Sequence, residues 1–268
     1  MKRALILLTL TGLIAALAYW SFQHGWLRFN YPSAAQFPIR GIDVSHHQGD
    51  INWRQVAGEG FAFAYIKATE GGDFRDERFD ENWRNARASG LQVGAYHYYS
   101  LCRDGLSQAD LFFSTVPVDA AALPPAIDLE FGGNCRPEGS LAEQAKEIDA
   151  FLEAVQMHYD RTPVLYVTHD FYQAFVTDPQ LALDQRRLWV RDVYGKPSWQ
   201  TSGAWELWQY GNRGHVAGIQ GFVDLNAFNG QVRQWQAFVK RNRLQAPIAT
   251  TPDTEPSLAP SASSATTQ

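Results

Sequence analysis

The sequence predicts an α/β fold, an irregular (β/α) barrel of eight strands with about five helices, whose last strands lack crossover helices. Short β-rich runs alternate with segments of helical pattern through the first five units of the chain. Three further β-rich runs follow, separated by loops too short for a good crossover helix. Acidic residues end several of these runs, where barrel enzymes carry their reactive groups. With 268 residues and 45% hydrophobic content, the chain is long enough to bury such a core.

Each predicted element is short and bounded by turn residues. The predicted strands are 41–44, 61–67, 92–99, 126–130, 164–168, 188–193, 205–210 and 222–225. The predicted helices are 53–58, 77–89, 107–116, 141–159 and 169–175, with a closing amphipathic stretch at 230–243. Ser140 and Glu143 form a capping box that marks the start of the fourth helix. The final connections are short enough for some of the last three strands to run antiparallel.

The N-terminus differs from the rest of the chain. Lys2 and Arg3 precede an uncharged apolar run that ends near Phe22 and is long enough to cross most of a bilayer. We therefore expect residues 1–22 to be a signal anchor or a signal peptide, with interfacial aromatic residues favouring the anchor. The domain is then exported, and it remains membrane-anchored outside the cytoplasm or is secreted if the segment is cleaved. Residues 23–37 are predicted as a spacer, 38–243 as the catalytic domain and the Pro/Ser/Thr-rich residues 244–268 as a disordered tail.

Charge and cysteine content limit the classes of function. The net charge of −5 gives no basic field, which argues against a nucleic-acid partner. Cys102 and Cys135 both lie in the exported part, where a disulfide forms readily, but the sequence leaves pairing open. Neither has a Cys or His neighbour at metal-ligand spacing, and His46, His47 and His97 lack a zinc motif, so no metal and no cofactor are expected.

Four acids are the candidate chemistry. Asp128 and Glu130 are two residues apart on one predicted strand, so both side chains point to one face. Asp43 ends the first strand and Asp224 lies in the eighth. In a closed barrel the first and eighth strands are neighbours, and the fourth lies across the mouth. Carboxyl groups that face a ligand from two sides suit glycoside cleavage, in which one protonates the leaving oxygen and another stabilises positive charge or activates a nucleophile.

Six motifs carry a resemblance that covers most of residues 38–228. They are Gly41-Ile-Asp-Val-Ser-His-His-Gln-Gly-Asp-Ile-Asn-Trp53, Ile66-Lys-Ala-Thr-Glu-Gly71, Gly94-Ala-Tyr-His-Tyr98, Asp128-Leu-Glu130, Trp208-Gln-Tyr210 and Val223-Asp-Leu-Asn226. Together, and in this order, they resemble glycoside hydrolase family 25. The resemblance implies a metal-free (β/α)-barrel lysozyme that hydrolyses the β-1,4 bond between N-acetylmuramic acid and N-acetylglucosamine in peptidoglycan.

The resemblance also implies roles for residues at matching positions. Glu130 is the expected general acid and Asp128 the orienting and stabilising carboxylate, while Asp43 and Asp224 complete the acidic floor. Substrate assistance, a covalent intermediate and inversion all stay open. The expected substrate-binding residues are Tyr96, Tyr98, Tyr166, Trp208, Tyr210, Lys67 and Glu70.

Each of these residues also has a purely structural alternative. Asp43 can cap a turn, and Asp224 can be a structural hydrogen-bonding group. The aromatic residues can be part of the hydrophobic core. Lys67 and Glu70 are either a surface ion pair or part of the site rim. The tyrosine pair Tyr96 and Tyr98, and the pair Trp208 and Tyr210, each share one strand face, and the resemblance favours the inside of the barrel for both.

Two departures from the family pattern are visible. Arg191 and Asp192 stand where the family more often has an uncharged pair, and no wall-binding repeat follows the domain. The expected partners are peptidoglycan glycan strands and, through the N-terminal segment, a membrane; a monomer is expected. The alternatives are a chitinase-like glycosidase, disfavoured by the apolar residues 124–127 upstream of the acid pair, and a catalytically weak barrel that only binds glycan.

Overall fold

A computed structural model describes residues 2–133, 135, 139–178, 183, 186–198 and 205–242. The predicted disordered tail, 244–268, lies outside the described residues. Nine strands and seven helices are found among those described. The strands are β1 Arg40–Val44, β2 Phe63–Glu70, β3 Phe74–Arg75, β4 Gln92–Tyr98, β5 Ala126–Leu129, β6 Val164–Val167, β7 Arg187–Arg191, β8 Leu207–Gly214 and β9 Val223–Phe228.

The predicted eight-stranded barrel is confirmed. The sheet order is β1-β9-β8-β7-β6-β5-β4-β2-β3, and an additional parallel pairing of β1 with β2 closes the barrel. The strands from β1 to β8 that form the wall run parallel, whereas β9 is antiparallel to both of its neighbours. The two-residue β3 was not predicted. It pairs with the end of β2 beyond the barrel wall.

The helices cover the barrel and close one end. They are α1 Lys2–Gln23, α2 Trp53–Gly58, α3 Phe79–Ala88, α4 Gly105–Phe113, α5 Leu141–Tyr159, α6 His169–Phe171, continued by a π-helical turn at Tyr172–Val176, and α7 Val232–Arg241. The capping box predicted for α5 is present: the Ser140 hydroxyl accepts from the Glu143 amide, and the Glu143 carboxylate accepts from the Ser140 amide. The count of about five helices was low because it covered only the helices that follow strands one to five.

Two apolar clusters share the core. The larger fills the space between the outer face of the sheet and its helices. The smaller lies inside the barrel, where Phe63, Tyr65 and Trp189 are buried, and it extends to Trp235 and Phe238 of α7. The closing helix therefore seals the end of the barrel opposite the carboxyl ends of the parallel strands.

Glycine makes room for the interior rings. A Cβ atom on Gly41 would lie 2.3 Å from the Phe63 ring, and one on Gly94 would lie 2.4 Å from the Tyr65 ring. Real Cβ atoms do not approach other atoms this closely. These two positions therefore need glycine so that large rings can fill a narrow barrel.

The N-terminal helix and the residues after it form two different parts. α1 has 22 residues, none of them buried, and its most apolar 18-residue window has a mean hydropathy of 2.0, so its length and composition are compatible with a membrane span or a signal sequence. Of residues 23–37, predicted as a spacer, Gln23 ends α1 and residues 24–37 pack on the barrel. Asn30 is buried and donates to the carbonyl oxygens of Asp192, at 3.0 Å, and Tyr210, at 3.3 Å. Phe37 is also buried, against Trp205 and Trp208.

Candidate active site

The fold brings the four acids to one end of the barrel. Asp43 is near the end of β1, Asp128 lies in β5, and Glu130 directly follows that strand. Asp224 is near the start of β9, but because β9 is antiparallel its start lies at this same end. Asp43 and Asp224 are register partners across the two strands. Each of the four carboxyl groups lies close enough to at least one of the others to alter its pKa.

Asp43 is held by two amides on the neighbouring strands. Its Oδ2 atom accepts a 2.6 Å hydrogen bond from Asn226 and a 3.1 Å hydrogen bond from Gln209. Burial raises the pKa of Asp43 to about 6, against the lowering effect of these hydrogen bonds. Asp224 also has a raised pKa, first because it is buried and then because of the nearby Asp43 carboxyl group. The two acids therefore form a pair that favours sharing a proton.

One carboxyl oxygen of Asp128 has no hydrogen bond within the part of the chain that the structure describes. Burial raises its pKa well above the ordinary value, and the charges of Glu130 and Asp43 add to this effect. Its Oδ1 atom is buried and has no hydrogen-bond partner among the described residues. A buried acceptor left open is costly in free energy unless something outside the chain binds it. This oxygen is therefore a candidate ligand contact.

Glu130 combines a raised pKa with access to solvent. Burial is the largest cause of its raised pKa, while Arg191 and a hydrogen bond with Tyr98 act in the opposite direction. The chain turns away immediately afterwards through Gly133, whose φ of 113° lies in the region that favours glycine. A raised pKa increases the protonated fraction of the carboxyl group at a given pH, and the protonated form can donate a proton to a bound molecule.

A disulfide joins Cys102 and Cys135, the pairing that the sequence left open. The two Cα atoms are 6.1 Å apart and 33 positions separate them in sequence. The bond connects the segment after β4 to the segment after β5, just beyond Glu130. It therefore restrains two loops on the same side of the candidate site.

Three of the predicted tyrosines lie on the inner side of the barrel wall. Tyr166 is buried and its hydroxyl donates a 3.0 Å hydrogen bond to Gln209. That glutamine in turn donates to Asp43, so Tyr166 extends the hydrogen-bonded floor. Burial raises the pKa of Tyr96 and Tyr98, and nearby acids raise each further: Asp43 and Asp128 for Tyr96, Glu130 and Asp128 for Tyr98. These tyrosines stay protonated and present hydroxyl groups beside the acids.

Lys67 and Glu70 form an ion pair at the rim of the site. Their side chains are 2.5 Å apart, and Lys67 is mostly buried. The Lys67 ammonium group lies 4.9 Å from the centre of the Tyr98 ring and lowers the pKa of Asp128. The pair is therefore a partly buried ion pair that borders the acids, and its role in binding substrate stays a prediction.

The expected inward orientation of Trp208 and Tyr210 is wrong. Gln209, between them, points to the barrel interior and binds Asp43. Because successive strand residues face opposite sides, Trp208 and Tyr210 lie on the outer face. There Trp208 packs against Phe37 and its indole N–H donates to the carbonyl oxygen of Asp192. These two aromatic side chains are part of the outer core.

The side chains of His97 and His46 contact polar groups other than the four acids of the site. His97 is fully buried, with its ring nitrogens 2.7 Å from the Thr69 hydroxyl and 3.1 Å from the Gln108 amide oxygen. Burial lowers the pKa of His97 to about 3, so the ring is neutral. His46 contacts the Asp76 carboxylate at 3.0 Å. Within the described residues, no group of three or more His, Cys, Asp or Glu side chains is placed to hold a metal ion.

Three residues of the site were not predicted: Gln209, Asn226 and Arg191. Asn226 accepts a 2.8 Å hydrogen bond from the Trp189 indole and donates a hydrogen bond from its own amide group to Asp43. Its two-residue spacing from Asp224 was a signal that it shares the acid's face. Arg191 lowers the pKa of Asp43, Asp224 and Glu130, so the unusual cation noted in the sequence faces the acids.

Comparison with known proteins agrees with this geometry. The model of the family described as "Glycosyl hydrolases family 25" matches residues 42–219, which include three of the four acids. Lysozyme M1 of Streptomyces globisporus is 34% identical over 204 residues, covering 72% of this chain and 68% of that protein.

Solved structures extend the likeness to the whole barrel. A family 25 glycosyl hydrolase from Bacillus anthracis has a TM-score of 0.71 and 35% identity, covering 79% of this chain and 97% of that one. A bacterial lysozyme from Streptomyces coelicolor has a TM-score of 0.70 and 33% identity, covering 76% and 98%. The motifs, the barrel and these matches lead to one conclusion: the chain belongs to glycosyl hydrolases family 25 and is a glycoside hydrolase.

Proposed function

We propose that this chain is a peptidoglycan hydrolase, a muramidase that cleaves the β-1,4 bond between N-acetylmuramic acid and N-acetylglucosamine. The observation that carries the proposal is the cluster of four acids with raised pKa values at the open end of the barrel. Relatives described as lysozymes and N,O-diacetylmuramidases support this choice of substrate. Glu130, Asp128, Asp43 and Asp224 are the proposed catalytic residues.

Glu130 is the proposed proton donor. Cleavage of a glycosidic bond requires a proton on the leaving oxygen while positive charge develops at the sugar carbon. The raised pKa of Glu130 favours the protonated form at the start of the reaction, and its exposed edge faces the solvent-filled mouth. The Tyr98 hydroxyl positions the carboxyl group and stabilises the carboxylate left after the transfer.

Asp128 is proposed to orient the sugar and stabilise the developing charge. Its open Oδ1 atom suits the N–H of an acetamido group, which is the donor nearest the reacting carbon of an N-acetyl sugar. Asp43 and Asp224 share a proton next to Asp128. The cluster of four acids therefore carries less negative charge than it would if all four were ionised. This limits the repulsion that opposes ionisation of Asp128.

The inner tyrosines and the rim pair are the proposed substrate contacts. Tyr96, Tyr98 and Tyr166 offer hydroxyl groups beside the acids, and Lys67 with Glu70 borders them. We further propose that α1 holds the enzyme at a membrane with its barrel outside the cytoplasm, or directs its secretion if the helix is removed. Peptidoglycan lies in that compartment.

The proposal is tested with purified peptidoglycan and the full chain in mild detergent. We expect new reducing ends that carry muramic acid. Borohydride reduction of the products followed by sugar analysis measures them. Products that end only in reducing N-acetylglucosamine would replace the muramidase assignment by a different glycosidase, and the absence of any new reducing end on any glycan would support a barrel that only binds.

Replacing Arg191 should change the pH dependence of kcat/KM. Its guanidinium group lowers the pKa of Glu130, Asp43 and Asp224, so Arg191→Gln raises all three. The proton donor must be protonated, and a higher pKa keeps it protonated to higher pH. We expect the alkaline limb of the kcat/KM profile to move to higher pH in the variant. Arg84→Gln, which removes an exposed arginine of α3, is the control, and an unmoved limb in Arg191→Gln would contradict the assignment.

A further inference from the structure

The segment after α1 builds a wall beside the active site. Gly25 approaches β8 so closely that a Cβ atom on it would lie 2.2 Å from the carbonyl oxygen of Arg213. Trp26 stacks on His215 with ring centres 4.5 Å apart, and Asn30 is bound to two backbone carbonyls. The segment itself lies outside residues 42–219, the part that matches the family, whereas its partners on the barrel lie inside that part. The wall is therefore built by residues outside the part that the family model matches.

A cavity of about 170 Å³ lies between this wall and the barrel. The residues that matter for its chemistry are Arg28, Phe29, Arg191, Tyr194, Tyr210 and Arg213. Phe29 and Tyr194 pack together with ring centres 5.5 Å apart, and both remain largely exposed. Arg191 lines the cavity and is the register partner of Gln209, which donates to Asp43, so the cavity lies beside the acids.

Arg191 faces the four acids, whereas Arg28 and Arg213 have no carboxylate partner within the described residues. Arg213 donates to the carbonyl oxygen of Phe22 and to the Gln23 side chain, and Arg28 lies over the Tyr31 ring with its buried Nε unsatisfied. Within the part of the chain that the structure describes, no ion pair joins any of the three to a carboxylate. Two cations without a carboxylate, one of them with a buried nitrogen that lacks a partner, indicate that a bound anion completes the site.

We infer that this cavity binds the carboxylate-bearing peptide attached to the glycan strand. In peptidoglycan each muramic acid carries a short peptide with free carboxylates on its lactyl group. Such a peptide branches from the sugar next to the cleaved bond. Its carboxylates are repelled by the four acids at the mouth of the barrel. Arg191 and Arg28 offer the opposite charge next to that mouth, and Phe29 and Tyr194 offer an apolar surface for the peptide. The inference rests on the proposed function because it names a part of the same substrate.

Kinetics on two forms of one substrate test the inference. Soluble glycan fragments are prepared with their peptides, and a second portion is treated with an amidase that removes them. For Arg28→Gln we expect KM to rise about tenfold on the peptide-bearing fragments with kcat unchanged, because a charge-assisted hydrogen bond is lost. On the peptide-free fragments both constants should equal those of the parent. Arg84→Gln, with the same change of charge on α3, should match the parent on both.

A binding measurement separates this inference from the proposed function. The free tetrapeptide is titrated into the full chain in detergent by calorimetry, which requires no catalysis. We expect the parent to bind the tetrapeptide and Arg28→Gln to bind it about tenfold more weakly. A peptide with amidated carboxylates should bind the parent no better than the unmodified tetrapeptide binds Arg28→Gln. Equal binding by the parent and Arg28→Gln, or an Arg28→Gln defect of the same size on both glycan substrates, would overturn the inference. A failure of glycan cleavage with peptide binding intact would instead overturn the proposed function.

Discussion

Replacing Glu130 by glutamine is expected to lower kcat for peptidoglycan cleavage by about 10²- to 10⁴-fold, the usual cost of losing a general acid. Glutamine has nearly the same shape as glutamic acid and can keep a hydrogen bond with Tyr98, but it has no proton to donate. The fold should therefore persist while the chemistry fails. The release of reducing ends from purified peptidoglycan measures the rate, and thermal unfolding checks the fold.

A matched variant shows whether the loss belongs to the position. Glu153 is exposed on α5, away from the acids, so Glu153→Gln makes the same chemical change without touching the site. It should digest peptidoglycan at the parent rate. If Glu130→Gln digests as well as Glu153→Gln, Glu130 is not the proton donor.

Removing the disulfide should lower the free energy of unfolding by about 3 to 4 kcal/mol, from the chain-entropy estimate for a loop of this length. The bond between Cys102 and Cys135 closes a loop with a separation of 33 residues and therefore restricts the unfolded chain. The double variant Cys102→Ser with Cys135→Ser tests this through urea unfolding of the full chain in detergent. Tryptophan fluorescence reports the transition because several tryptophans of the barrel are buried.

Reductant provides the internal control for the disulfide. A thiol reductant should destabilise the parent toward the value of the double variant and leave the double variant unchanged. An unfolding free energy that is equal in the parent and the double variant would contradict a stabilising role for the bond.

The strand ends were predictable because local sequence determines them. The acid pair Asp128 and Glu130 is two residues apart after an apolar run, which places both side chains on one face whatever the rest of the fold. The same rule could not choose the face for Trp208 and Tyr210. Spacing of two residues shows that they share a side, but the polar Gln209 between them was the residue that entered the barrel. A buried amide that binds Asp43 outweighed the preference of aromatic side chains for a sugar site.

The docked segment could not be predicted from local pattern. Residues 23–37 contain Pro32, are followed by Pro38 and have no regular periodicity, as a spacer does. Their position depends on contacts with residues far along the chain. Gly25 approaches Arg213 closely, and Asn30 donates hydrogen bonds to the carbonyl oxygens of Asp192 and Tyr210. Contacts between residues so distant in sequence leave no periodic signal in either segment.

The docking of residues 24–37 also sets the working reach of the enzyme. As a free linker, this segment would span about 20 Å on average and about 45 to 50 Å when fully extended, so the barrel could explore a thick layer of wall. Packed against β8, it contributes almost none of that length. In the anchored form proposed above, the reach of the barrel would therefore be limited to glycan strands within about one barrel diameter of the membrane.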